Sequence, residues 1–85
     1  HKENMKQIKI TLEDCGQDFT TLYTDENGMV VDAQPCQARI WRGAMIPVND
    51  PGMFEVGQPL PIHHSPHIMW GLLRYRIQKI EHIES

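Results

Sequence analysis

The sequence predicts a small, mostly β domain, and three observations carry that prediction. Apolar residues recur with period two in Ile8–Leu12 and again in Leu73–Ile77, the rhythm of strands with one face buried. Asn27-Gly28 sits between two runs rich in Thr, Tyr and Val, which is a hairpin signal. No stretch of ten or more residues carries the apolar stripe of an amphipathic helix. Five or six short strands in 85 residues suit an antiparallel barrel of the SH3-like or OB-like kind, since closure removes exposed strand edges. A small β-sandwich is the alternative.

The elements follow in order. His1–Asn4 precede Met5 and read as an appendage carried over from expression, with residues 5–85 as one β domain. In Lys6–Glu13, Ile8, Ile10 and Leu12 point one way and Gln7, Lys9 and Thr11 the other. Asp14-Cys15-Gly16-Gln17 is a turn, and Asp18–Thr24 a second strand. With Asn27 and Gly28 at the centre of a two-residue turn, Glu26 faces Met29, Thr24 faces Val31 and Leu22 faces Ala33. Extending that register sets Phe19 opposite Cys36. Both faces of this hairpin carry apolar residues, which leaves open which one is buried.

After Pro35, the alternation of Cys36, Ala38 and Ile40 with Gln37, Arg39 and Trp41 predicts a fourth strand ending at Gly43. Met45–Val48 reads as a short edge strand, and Phe54 with Val56 as another. Pro59, Pro61 and Pro66 exclude a long helix or a central strand there. Ile68–Leu72 fits one helical turn. In the last strand Leu73, Tyr75 and Ile77 alternate with Arg74, Arg76 and Gln78, and a bulge near Lys79 would keep Ile80 and Ile83 in the apolar set.

Composition narrows the function classes. The net charge is −3, which weighs against a dedicated nucleic-acid binder. Charge is uneven along the chain, however. Thr11–Ala38 holds six acids and no Lys or Arg, whereas Arg39–Ile80 has a local positive excess. No polybasic run or apolar span of about 20 residues marks a membrane protein. Cys15 and Cys36 are too few for a disulfide framework and are not directly opposite in the hairpin register. The expectation is free thiols in a cytoplasmic protein.

No residue set predicts catalysis. His63, His64 and His67 form the one ligand-type cluster, but no Cys lies within it, acids are distant in sequence, and Pro66 prevents helical alignment. A polar loop is the simpler reading, so neither metal nor cofactor is assigned. Asp25–Gly28 has the wrong spacing for a calcium loop. Glu13 and Asp14 are strand neighbours that face opposite ways.

Two surfaces remain. If Ile40 faces inward, Arg39 and Trp41 face out and, with Arg42, Arg74 and Arg76, compose a basic face bearing one aromatic ring. Met53, Phe54, Leu60 and Ile62 form either a candidate partner loop or a cover over the core. The resulting expectation is a non-enzymatic protein-interaction or assembly module that meets a protein partner or a second copy of itself. An OB-like binder of single-stranded nucleic acid is the alternative.

Overall fold

The alternating apolar residues organise one antiparallel sheet. The structure, a computed structural model, describes residues 6–14, 17–61 and 75–84. Four strands, β1 (Lys6–Asp14), β2 (Gln17–Asp25), β3 (Val30–Gln34) and β4 (Arg76–Glu84), lie in the order β3-β2-β1-β4. The expectations for residues 1–5, Cys15, Gly16, Ile62, the three clustered histidines, Ile68–Leu72, Leu73 and Arg74 fall outside the described residues. No helix among the described residues is long and apolar enough to cross a membrane.

One rung crosses the whole sheet. Ile80 pairs with Ile10, Ile10 with Leu22, and Leu22 with Ala33. Ile10, Leu22 and Ala33 are fully buried, and Ile80 packs against them. The flanking rungs set Ile77 and Thr20 beside Leu12, and Thr24 beside Ile8. These side chains share a face because residues two apart on a strand point the same way. That answers the question the hairpin left open: the Leu22 side is the buried one.

Each strand pair carries one register shift. It falls between Leu12 and Glu13 in the β1–β2 pair, between Thr11 and Leu12 in the β1–β4 pair, and between Tyr23 and Thr24 in the β2–β3 pair. In the second, Lys79 pairs with Thr11 and Ile77 with Leu12, so Gln78 is the extra residue. The phase slip expected near Lys79 is therefore present. It returns Ile80 to the core face, but Ile83 pairs with Gln7 on the other face and is exposed. Ile83 thus leaves the apolar set to which the sequence pattern assigned it.

The β2–β3 hairpin corrects the expected turn. Its loop is three residues long, flanked by the Asp25 N–H donating to Met29 O at 3.0 Å. Gly28 N donates to Asp25 O at 3.1 Å, while Asp25 Oδ1 accepts from the N–H groups of Asn27 and Met29 at 2.9 Å each. Gly28 has φ +97°, the left-handed residue that ends a three-residue loop of this kind. Leu22 faces Ala33 as expected, but Thr24 meets Val30 rather than Val31, because Val31 is bulged out and exposed.

The largest correction concerns Cys36–Trp41, which forms a 3₁₀ helix and not a strand. Ala38 N donates to Pro35 O at 2.8 Å, and Arg42 N to Arg39 O at 3.1 Å. Residues three apart eclipse in such a helix. Ala38 and Trp41 therefore pack on the core together, while Cys36 and Ile40 are exposed. The inward set Cys36, Ala38, Ile40 and the outward Trp41 required a two-residue rhythm that the chain does not adopt here.

The chain then crosses the core face. Gly43–Ile46 runs beside Gly28–Val30, with Val30 N donating to Ala44 O and Ile46 N to Gly28 O, both at 2.9 Å. Of the edge strand expected at Met45–Val48, a single bridge from Met45 to Met29 is present. Turns follow from Pro47 to Phe54. Phe54 is buried and Val56 exposed, so that pair forms no strand. Gly57–Leu60 then lines the start of β4, where Gly57 N donates to Ile77 O at 2.8 Å and Ile77 N to Gln58 O at 2.9 Å. Ala38, Ala44, Ile46, Phe54 and Leu60 thereby complete the core.

The sheet is not closed. β3 and β4 are its outer strands and share no ladder. Neither the expected closed barrel of five or six strands nor a second sheet is formed by the described residues. The bridges on the two outer strands cover parts of both edges without joining them.

Two outcomes are expected in urea denaturation. Ile10→Ala should lose about 2–5 kcal/mol, whereas Ile83→Ser on the opposite face should stay within about 0.5 kcal/mol of the parent. Gly28→Ala should lose about 2 kcal/mol or more, because its φ disfavours any Cβ and that Cβ would overlap the Ile46 carbonyl oxygen.

Candidate functional site

The 3₁₀ helix has two working faces, both set by the spacing of three. Arg39 and Arg42 share one face, and both reach back to Asp32 on β3. Asp32 Oδ1 accepts from Arg39 Nε at 3.2 Å, Arg42 Nη2 at 3.4 Å and the Ala33 amide at 2.8 Å. The Ala33 amide bond and the two guanidinium groups hold the Asp32 carboxyl below its ordinary pKa. Arg39 Nη1 also lies 3.7 Å from the Sγ of Cys36, a free and exposed thiol. Two exposed cations against one carboxylate leave this edge with a positive excess.

The other face turns Ala38 and Trp41 toward the sheet and opens a groove of about 450 Å³. Its walls are Thr20, Pro35, Ala38, Trp41 and Tyr75, with Ile40 at the lip. Most of this lining is apolar. Ile40 is 56% exposed, an aliphatic side chain left in water beside a concave apolar surface. Within that wall are two buried polar atoms, the Trp41 indole Nε1 and the Thr20 Oγ1, which meet no hydrogen-bond partner. A buried donor or acceptor left unpaired costs about 1–3 kcal/mol, and such groups are uncommon in native structures.

Two other cavities are less suited to a ligand. One of about 330 Å³ lies among Lys6, Glu26, His82 and Glu84 at the far end of the sheet, and its rim is charged and exposed. Another of about 320 Å³ is a shallow apolar notch beside Met53, Pro59 and Pro61. No group of three or more His, Cys, Asp or Glu side chains among the described residues is arranged to hold a metal ion.

The residues proposed from sequence are thus distributed over several places. Arg39, Trp41 and Arg42 are together on the 3₁₀ helix, but the arginines and the indole face different ways. Arg76 lies on β4, at the opposite edge of the sheet from β3, and its Nη1 donates to Gly57 O at 3.2 Å. Of the candidate loop, Phe54 and Leu60 are core residues, whereas Met53 is 45% exposed. Thr20, Pro35, Ala38 and Tyr75 were not singled out by sequence. The signal that could have found the groove is the paired spacing of three, Ala38 with Trp41 and Arg39 with Arg42, directly after Pro35.

Comparison with protein-family models, curated proteins and solved structures gives no match for this chain.

A group whose folded pKa is depressed stabilises the fold above its unfolded pKa and loses that contribution as pH falls through the folded value. Asp32→Asn should therefore be less stable than the parent at neutral pH. The gap should close as the solution is taken below the ordinary carboxylate range of about pH 4. Urea midpoints of both proteins, measured at neutral and acid pH, read this directly.

Proposed function

We propose that this chain is a non-enzymatic protein-interaction module whose contact surface is the groove beneath the 3₁₀ helix. The observation that carries the reading is the pairing of an exposed apolar lip at Ile40 with two unpartnered buried polar atoms in the wall behind it. A partner that covers Ile40 buries apolar area, which is favourable at roughly 25 cal/mol per Å². A polar group on the same partner can satisfy the indole N–H or the Thr20 hydroxyl. Apolar walls with a few placed polar atoms are the usual make-up of a recognition site.

The single-stranded nucleic-acid reading has weaker support. Arg39 and Arg42 are engaged by Asp32, and Arg76 by the Gly57 carbonyl on the far edge. The indole is half-buried on the core side, so it does not offer an open stacking platform.

The test compares the parent chain with Ile40→Asp, an exposed change that should leave the amide spectrum dispersed. Immobilised parent should retain a defined partner from lysate of the source cells, or a second copy of itself in light scattering. Ile40→Asp should reduce that retention about tenfold. Equal retention by the two proteins, or a salt-sensitive complex with a single-stranded oligonucleotide in its place, would contradict the reading.

A further inference from the structure

We infer that the groove takes a proline-rich peptide in the polyproline II conformation, flanked by acidic residues, with the Trp41 indole N–H donating to a peptide carbonyl. This rests on the interaction-module reading above and names its partner class.

Hydrogen-bond bookkeeping of the peptide decides between backbones. The groove wall offers one unpartnered pure donor, Trp41 Nε1, and one hydroxyl, Thr20 Oγ1, in an otherwise apolar lining. A helical peptide has its carbonyls occupied by its own amides, so it has no acceptor to give the indole. An extended strand brings alternate N–H groups that need acceptors, and the apolar wall is poor in them. A polyproline II chain makes no internal hydrogen bonds, so its carbonyls are free. Each proline also lacks an N–H that would be stranded inside the groove. The apolar half of the match is ring against ring: Trp41, Tyr75 and Pro35 line one groove, and aromatic-lined grooves suit the low-entropy polyproline II surface.

Charge chooses the flank. Along the 3₁₀ helix, Arg39 and Arg42 alternate with the groove residues Ala38, Ile40 and Trp41. Both guanidinium groups share one oxygen of Asp32 and remain about half exposed. A peptide with Asp or Glu beside its proline core meets this excess, and one with Lys meets repulsion. The effect should weaken as salt rises.

The experiment is a titration of the ¹⁵N-labelled chain with short synthetic peptides, following the Trp41 indole N–H resonance, which a Trp70→Phe variant distinguishes from that of Trp70. The peptide with proline at every third position and an acidic flank should shift the Trp41 signal. Replacing its prolines by alanine, or its acids by lysine, should weaken binding. Trp41→Phe keeps a ring and loses the donor, and should weaken binding about tenfold. Ile40→Asp, at an exposed position, serves as the second variant and should also weaken it. Equal affinity for the alanine peptide, or for Trp41→Phe with its amide spectrum intact, overturns the inference. So does a shift produced by an amphipathic helical peptide and not by the proline peptide, an outcome that leaves the interaction-module reading standing. No shift with either peptide overturns it too, and the Ile40→Asp retention comparison then decides the broader reading separately.

Discussion

The apolar rung Ile80–Ile10–Leu22–Ala33 ties all four strands to one dry face, and every other feature takes its orientation from it. A shift of one residue in any pair would turn that strand's apolar set toward water. The register shifts are tolerated because in the β1–β4 and β2–β3 pairs the extra residues, Gln78 and Val31, are exposed while the buried sets realign around them. A domain of this size has little apolar area to spare. The loop after β3 must therefore supply the second layer, and Ala38, Ala44, Ile46, Phe54 and Leu60 do so.

That demand explains why Cys36–Trp41 winds up rather than extending. A strand would place Ala38 and Trp41 on opposite faces, whereas a 3₁₀ turn places them together. Burying the indole with the alanine gains more apolar contact than burying Ile40 alone in its place. The same winding sends Arg39 and Arg42 to Asp32, so ion pairs and core packing support one geometry. Surface pairs of this kind contribute little on their own; here they orient the turn that forms the groove. The unpartnered indole and hydroxyl are the exception to an otherwise consistent structure, and such exceptions concentrate at functional sites.

The strands were legible where a two-residue rhythm ran long enough to exclude a helix. β1 reads directly from Ile8, Ile10 and Leu12, and the slip at Lys79 reads from the spacing of Ile77 and Ile80. The side of the sheet that Ile83 faces did not, because one bulge reverses the parity of everything beyond it. The hairpin was visible in Asn27-Gly28. Its loop length was hidden in Asp25, whose carboxylate captures two amides and favours three residues over two. Cys36–Trp41 carried periods of two and three at once, and over six residues pattern alone cannot choose between them. The groove was illegible for the same reason, since it exists only when the period is three. Closure was not readable at all: it depends on whether β3 and β4 meet, which no local pattern encodes.

The functional reading stands on the inward docking of Trp41. Acrylamide quenching of Trp41 fluorescence in a Trp70→Phe background measures this most directly, since the chain has two tryptophans. A quenching constant well below that of free N-acetyltryptophanamide is the predicted result. A constant equal to the free indole would put Trp41 on the outside, restore the strand geometry for Cys36–Trp41, and remove the groove.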